Sequence, residues 1–317
     1  PSTETSAWKN HSFITEVILL GFSSRPGLHV PLFLLFLMIY MMTMAANISI
    51  IVLVAADRHL HTPMYFFLGN LSCLEACYSS TILPRLLASF LTADRAISIL
   101  CCILQFSCFG SLTGSECCLL VVMSFDRYMA ICRPLHYAAL MRTRSCLQLA
   151  AASWISGFLA MAANAFWLSG MVFCGPTDLD HFFCDFTPLL TLSCSDTSLM
   201  ALLTLLLSAL FTLPPFLLTL TSCLCIIAAI RRIPSSAGRH KAFSTCSPLL
   251  IMVTLYYGTV TFVYVLPDTE MLGPLNKLFS LFYRVFTPLA NPLIYSLRNR
   301  EVRESLRSAF SARVRYA

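Results

Sequence analysis

Four ionisable side chains interrupt apolar stretches of this sequence and are the first candidates for chemistry. They are Glu75, Arg85, Glu116 and Arg284. A charge that leaves water for an apolar interior is costly, so such residues are usually functional or paired with an opposite charge. Because a guanidinium stays charged at any accessible pH, Arg284 needs a partner. We expect Arg284 to neutralise Glu116 or Glu75, and the alternative is that it anchors an acidic group of a ligand.

An Asp126-Arg127-Tyr128 triplet follows the third apolar stretch. A charged pair at the end of a helix can be ordinary surface charge. Neither a His/Asp pair nor a group of metal ligands occurs within the apolar stretches, so the sequence indicates that the chain is not an enzyme, and we expect no cofactor and no metal.

The overall composition shows what surrounds these charges. Apolar residues, counting Ala, Val, Ile, Leu, Met, Phe, Trp, Tyr and Cys, make up 57% of the 317 residues, and charged residues make up 11%. The mean hydropathy is +0.76. Soluble domains carry about 25% charged residues. A chain of this length could not bury so many apolar side chains in its own core, whereas a lipid bilayer accommodates them.

Seven apolar stretches are long enough to cross a bilayer, for which about 20 residues are needed. They lie at roughly 29–55, 64–90, 98–125, 146–172, 198–230, 243–265 and 275–297. The sequence therefore predicts an all-α membrane protein with a bundle of seven transmembrane helices. Prolines within the second, fifth, sixth and seventh stretches predict bends in those helices.

Basic residues decide which side of the membrane each loop occupies, because cytoplasmic loops carry the excess of Lys and Arg. With the N-terminus outside, the cytoplasmic segments hold most of the basic residues, including six arginines between Arg298 and Arg315. The outer segments hold Lys9, Arg25, Arg95 and Lys277. The net charge of +6 therefore lies where membrane topology requires it and does not indicate a nucleic-acid partner.

We expect one transmembrane domain over residues 1–317. It divides into an extracellular N-terminus (1–28), seven helices with their loops (29–297) and a cytoplasmic tail (298–317). The Asn10-His11-Ser12 sequon lies on the outer side, so we expect a glycan on Asn10.

The cytoplasmic tail alternates charged residues with Val302, Leu306 and Phe310. This pattern predicts a short amphipathic C-terminal helix on the anionic inner leaflet, and a solvated tail is the alternative.

Most of the fifteen cysteines are expected to be small core residues, and those on the outer side are the exception. Cys174, Cys184 and Cys194 lie in one outer loop, and Cys101 and Cys102 lie at the outer end of the third stretch. Four bridged thiols would hold this acidic loop over the mouth of the bundle. The spacing leaves three pairings open. A zinc site is not expected there, because no Cys-x-x-Cys pair is present.

Five segments, each at the expected end of an apolar stretch, carry a family resemblance. They are Leu20–Phe22, Pro63–Leu68, Met123–Cys132, Lys241–Cys246 and Asn291–Asn299. In this order they resemble the signature of odorant (olfactory) receptors, in the tetrapod-type (class II) branch of the rhodopsin-like, G-protein-coupled family. The resemblance covers nearly the whole chain.

The resemblance implies a receptor that binds a small volatile odorant between the third, fifth, sixth and seventh helices. It implies activation of a stimulatory (olfactory) G protein, a rise in cAMP, and a place in the plasma membrane, with olfactory cilia as the expected location. At the cytoplasmic face, Asp126-Arg127-Tyr128 would form an ionic latch, from which Arg127 is released to meet the terminal helix of the G protein. The motif that closes the seventh helix adds Asn291, Pro292 and Tyr295 to this switch.

Two further sets of residues follow from the resemblance. The family pairs the outer end of the third helix with the middle cysteine of the loop, which implies Cys102–Cys184 and leaves Cys174–Cys194. Glu75 and Glu116 match acidic positions around a cavity where related receptors bind sodium, with Asn291 nearby. A neutral, protonated carboxyl is the competing state, because two close carboxylates cannot both ionise cheaply.

The sequence departs from the family pattern at three places. Pro248-Leu249 follows Ser247 where a histidine is usual, so any role of that histidine, metal binding included, fails here. Cys223 stands in place of a tyrosine that would help to hold the active state. Ala290 precedes Asn291 where leucine is usual.

Side chains at helical spacing on the third, fifth and sixth helices, together with Arg284 of the seventh, supply the candidate odorant site, which should be a dry cavity with few polar anchors. The candidates are Phe106, Phe109, Gly110, Thr113, Cys117, Leu207, Phe211, Tyr257, Val260, Thr261, Tyr264 and Arg284. The alternative for any one of them is simple packing between helices.

Other receptor chemistries and functions fit less well. Phe109 occupies the place where amine receptors carry a carboxylate, and Lys277 lies too far out for the Schiff base of an opsin. Transporters show inverted repeats and paired broken helices, and neither occurs in this sequence. A related receptor for a non-odorant metabolite is the alternative that remains.

Overall fold

The computed structural model describes residues 14–21, 26–92, 95–174, 177–179, 181–265, 281, 284–294 and 302. Several predicted features lie outside these residues, namely the Asn10 sequon, Lys277, Tyr295 and the tail apart from Val302. Of Val260, Thr261 and Tyr264 the helical backbone is described and the side chains are not.

Nine α-helices follow one another along the described chain. They are α1 (His29–Ala56), α2 (Pro63–Thr92), α3 (Ile99–Cys132), α4 (Pro134–Leu140), α5 (Thr143–Ser169), α6 (Phe186–Leu190), α7 (Ser198–Arg231), α8 (Ser236–Val265) and α9 (284–294). The short helices α4 and α6 lie in loops, and the other seven correspond to the predicted spans. The chain is an all-α bundle of seven transmembrane helices, as predicted.

The circumference of the bundle, which faces the lipid, is apolar. Within the described residues, α1, α3, α5 and α7 are both long and apolar enough to cross a membrane. Leu205, Leu206 and Leu210 of α7 each expose more than half of their surface. The helix α2 has sufficient length but carries Glu75 and Arg85, and it packs between α1 and α3. Exposed apolar faces of this extent indicate a surface covered by acyl chains.

The helix α3 lies at the centre of the bundle and contacts α2, α5 and α7. Its closest neighbour is α5, at Gly157. A Cβ atom built on Gly157 would lie 2.6 Å from the backbone nitrogen of Ser115, and one on Gly114 would lie 3.2 Å from the Cα atom of Gly157. Small residues let transmembrane backbones approach closely, so these glycines set the distance between the two helices.

A small sheet covers the outer end of the bundle, and the sequence analysis did not predict it. Its strands are β1 (Glu16–Leu19), β2 (Ala96–Ser98) and β3 (Asp178–Leu179). The central strand β1 runs antiparallel to β2 and parallel to β3. Val17 of β1 is fully buried. The chain turns at Gly21, whose φ of 45° favours glycine. The N-terminal segment therefore joins the first and second outer loops.

Candidate functional site

Two disulfides shape the second outer loop. Cys102 of α3 is joined to Cys184, with Cα atoms 5.3 Å apart, and Cys174 is joined to Cys194, with Cα atoms 5.8 Å apart. These are the pairs that the resemblance implies. The neighbouring thiol of Cys101 is free and exposed.

Hydrogen bonds add to the attachment of this loop at Cys184. Its backbone N–H donates to Oε1 of Gln105 (3.2 Å), and the Gln105 amide nitrogen donates to the carbonyl of Thr81 in α2 (3.0 Å). The loop residues on either side of Cys184 are therefore held against the outer half of α3.

An aromatic cluster lies beneath this attached loop. Phe106 and Phe109 of α3 are buried, with ring centres 5.7 Å apart. Phe106 stacks on Phe186 at 5.8 Å, and Phe109 meets Phe183 edge to face at 6.5 Å. Tyr78 of α2 contacts Phe109 at 6.3 Å. Sequence periodicity found the two rings on α3, but it could not find the rings contributed by the loop.

Arg284 of α9 inserts its guanidinium into this cluster. The guanidinium carbon lies 4.1 Å from the ring centre of Phe109 and 4.0 Å from that of Phe183. Nη2 lies 3.0 Å from Oδ2 of Asp185, and Arg284 is only 3% exposed. The arrangement combines a buried ion pair with two cation–π contacts.

The partner of Arg284 differs from the prediction, which favoured Glu116 or Glu75. The reason is that Arg284 and Glu75 lie at different levels along the axis of α9. Arg284 precedes Asn291 by seven residues, and at 1.5 Å per residue this is about 10 Å along the helix. The Asn291 side chain donates a hydrogen bond to Glu75, so Glu75 lies well below Arg284. The loop carboxylate of Asp185 is the acid at the correct depth.

A second polar group lies in the middle of the bundle. Glu75, Glu116 and Asn291 are all buried, the Asn291 amide donates to the Glu75 carboxylate, and the two carboxyl groups lie close enough to interact electrostatically. The Asn47 amide of α1 donates to the carbonyl of Pro288 in α9 (3.0 Å). The acidic residues and the asparagine predicted to surround one cavity are therefore together, and α1 is tied to the same level.

Closer to the cytoplasmic end of α3, Cys117 contacts a residue that is not among the predicted site residues. Its Sγ lies 2.7 Å from the hydroxyl of Tyr256 in α8, and this hydroxyl also donates to the carbonyl of Thr113 (3.3 Å). The predicted Tyr257 is buried beside it and packs its ring 5.0 Å from Phe216 of α7. Helical spacing alone could not decide which of two adjacent tyrosines faces α3.

Other predicted residues contact neighbouring helices. A Cβ atom on Gly110 would meet the side chain of Met161 in α5, so Gly110 faces the α3–α5 contact. The Thr113 hydroxyl donates to its own helix at Phe109. Leu207 is half-buried on α7. Phe211, also half-buried on α7, reaches towards Gly114 of α3.

A shallow cleft opens at the outer face, away from these residues. It lies between the end of β1, α1 and α2. Arg85, Arg95 and His29 are among its polar lining residues. The Arg85 guanidinium donates to the carbonyl of Ala96, so it reaches the outer boundary of the bundle. The cleft and the Arg284 cluster are separate features of the outer half.

At the opposite end of α3, the charged triplet has a closed arrangement. Arg127 Nε donates to Oδ2 of Asp126 at 3.0 Å, and Asp126 is fully buried. The hydroxyl of Tyr137, in the loop helix α4, donates to Oδ1 of the same carboxylate at 2.9 Å. Burial and the nearby Asp126 raise the pKa of Tyr137 above its usual value. Tyr128 packs beside Ile226, Ile230 and Cys246 of α7 and α8.

Comparison with known proteins places this arrangement in a family. A family model described as "Olfactory receptor" matches residues 36–313. Human Olfactory receptor 10C1 is 49% identical, over 94% of this chain and 96% of its own length. Human Olfactory receptor 10A4 is 45% identical over 95% and 96%, and mouse Olfactory receptor 5AP2 is 44% identical over 94% of each chain. Because these matches extend from α1 to beyond α9, the chain belongs to the olfactory receptor family of G-protein-coupled, multi-pass plasma-membrane receptors, which are not enzymes.

Proposed function

We propose that this receptor binds a small volatile odorant between α3, α7, α8 and α9, and that the bound odorant activates a stimulatory G protein and raises cAMP. The observation that carries the proposal is the path of α3. Its outer half holds Phe106 and Phe109 in the aromatic cluster, its middle holds Cys117 against Tyr256, and its inner end holds Asp126 and Arg127. A shift of α7, α8 or α9 against this helix would therefore connect ligand contacts with the latch.

The proposed roles divide along this path. Phe106, Phe109, Cys117 and Arg284 would contact ligand, together with the predicted residues of α7 and α8. Asn291 and Pro292 of α9 and Asp126–Tyr128 of α3 would carry the switch, since a buried Arg beside an Asp can exchange partners when helices move.

The test is cAMP accumulation in cells that express the receptor, measured across a panel of odorants. We expect at least one odorant to raise cAMP in these cells and not in cells that express no receptor. The same odorant should give no rise in cells that lack stimulatory α subunits. A cAMP response that persists in those cells would reject coupling to a stimulatory G protein. If no odorant of the panel raises cAMP, the proposal that the receptor is activated by odorants is rejected.

A further inference from the structure

The charge balance of the Arg284 cluster limits which ligands can enter it. The Arg284 side chain is 2% exposed, whereas that of Asp185 is 15% exposed. The guanidinium is enclosed by Phe109 and Phe183, while its counter-ion lies at the edge of the cluster, on a loop. A buried guanidinium that loses its anion becomes an uncompensated charge, which is strongly destabilising. A ligand that separates Arg284 from Asp185 therefore does so at least cost when it supplies a negative charge itself.

The Asp185 carboxylate can leave Arg284 without losing its other hydrogen bond. Oδ2 makes the contact with Arg284, and Oδ1 accepts a hydrogen bond from the backbone N–H of Phe186 at 2.8 Å. If Oδ2 is released, Asp185 keeps its bond to Phe186 and turns its free oxygen towards water. The loop itself stays attached through Cys184. A carboxylate leaving Arg284 thus needs no unfolding of the loop.

We propose that the odorants of this receptor include carboxylates, and that the ligand carboxylate takes the place of Asp185 on Arg284. The inference rests on the proposed function, because it names the ligand class of the same site. A guanidinium has donors in a planar fork that fits both oxygens of a carboxylate, and it has no acceptor. The rings of Phe109 and Phe183 flank the fork and would contact the first carbons of an alkyl chain. An ammonium ligand would meet the positive charge of Arg284 directly.

Binding can be tested without signalling, by thermal unfolding of the full-length receptor in lipid nanodiscs. The probes are hexanoate and hexan-1-ol, which share a chain length and differ in the head group. We expect hexanoate to raise the unfolding temperature of the wild-type receptor and hexan-1-ol to have a much smaller effect. The comparison removes the contribution of simple partitioning into the bilayer.

Three variants locate the effect. Asp185→Asn removes the internal competitor, so the hexanoate concentration for half-maximal stabilisation should fall about tenfold. The matched control is Asp178→Asn, which removes a negative charge from an exposed position of the same loop and should leave this concentration unchanged. Should Asp185→Asn fold poorly alone, hexanoate present during purification should rescue its yield and hexan-1-ol should not. The double variant Arg284→Gln/Asp185→Asn removes both charges of this pair and should lose the preference for hexanoate.

The possible failures are distinguishable. Equal stabilisation by the acid and the alcohol, or an unchanged hexanoate concentration in Asp185→Asn, would overturn the carboxylate inference. The proposed function survives that result if a neutral odorant still raises cAMP. Conversely, hexanoate binding that follows these variants while no odorant raises cAMP would reject the proposed signalling and leave the ligand class standing.

Discussion

Tyr137 donates its hydroxyl hydrogen to Oδ1 of Asp126 at 2.9 Å, while Arg127 occupies Oδ2 of the same carboxylate. The carboxylate is therefore held from two sides, once by α3 itself and once by the loop helix α4. This loop is part of the cytoplasmic surface that a G protein would approach. Any movement of α4 changes the number of partners that keep Asp126 in place, and through Asp126 it changes the hold on Arg127.

Replacing Tyr137 with phenylalanine should raise the basal cAMP level several-fold. The ring remains, but the buried carboxylate loses a hydrogen bond of the charged type, which contributes about 1.5–3 kcal/mol. The closed arrangement is then less favoured in the absence of ligand. The measurement is basal cAMP divided by the amount of receptor at the cell surface. Tyr40→Phe, which removes a hydroxyl bonded to Ser80 between α1 and α2, is the matched control and should change nothing. Basal activity equal to wild type would show that Tyr137 does not restrain the latch.

Arg127→Ala should abolish the odorant-evoked rise in cAMP and leave surface delivery largely intact. In the proposed mechanism Arg127 changes partner during signalling, so its loss should remove the switch more than the fold. Surface receptor is counted by flow cytometry, and cAMP is measured with an odorant that activates the wild type. A variant that reaches the surface and signals normally would contradict the role assigned to the triplet.

The cysteines at the outer end of α3 offer a matched pair of substitutions. Cys102→Ser should remove the bridge to Cys184, cost about 2–4 kcal/mol and sharply lower the receptor at the surface. Cys101→Ser changes the adjacent exposed thiol and should be tolerated. Flow cytometry gives surface amounts, and peptide mapping without reductant gives the pairing. A peptide linking Cys101 to Cys184 would reject the register of α3 described here.

Gly157→Ala should destabilise the receptor by about 1–3 kcal/mol, because the new methyl group would press on the backbone of α3 at Ser115. The control is Gly170→Ala at the end of the same helix. There the nearest atom to the added carbon is the Trp167 carbonyl oxygen at 3.6 Å, an ordinary contact. We expect the purified Gly157→Ala variant to unfold at a lower temperature than the purified Gly170→Ala variant. Equal temperatures would mean that α5 can move away from α3 at little cost.

Hydropathy predicted the positions of the spans well because lipid exposure makes a continuous signal. The first span was expected at 29–55 and α1 is His29–Ala56, and the fifth was expected at 198–230 and α7 is Ser198–Arg231. The third apolar stretch was expected at 98–125, and the helix α3 continues beyond it to Cys132, where the family signature ends. Its last turns carry Asp126 and Arg127, which lower the hydropathy while the backbone stays helical. Hydropathy reports what surrounds a helix and not where its hydrogen bonds end.

The candidate site was predicted less completely, for a reason visible at Arg284. The sequence predicted that Arg284 is buried and that it pairs with an acidic group, but it did not predict that Asp185 is the partner. Asp185 lies in an irregular loop, where no periodicity relates a residue to the helix it faces. Its position next to Cys184 was the one available signal, since the implied bridge to Cys102 brings Asp185 to the outer end of α3. The strands β1 to β3 escaped notice similarly, because two to four residues are too few for an alternating pattern.

The sheet over the outer mouth also constrains how this receptor is made. During translation β1 leaves the ribosome first, yet its partners β2 and β3 follow only after two and four helices have entered the membrane. Until the second outer loop has been translocated, the central strand has an unpaired edge, and Val17 has no completed site in which to be buried. Closure of the sheet is therefore a late step in biosynthesis. It requires that the first four transmembrane helices have been inserted in the correct orientation.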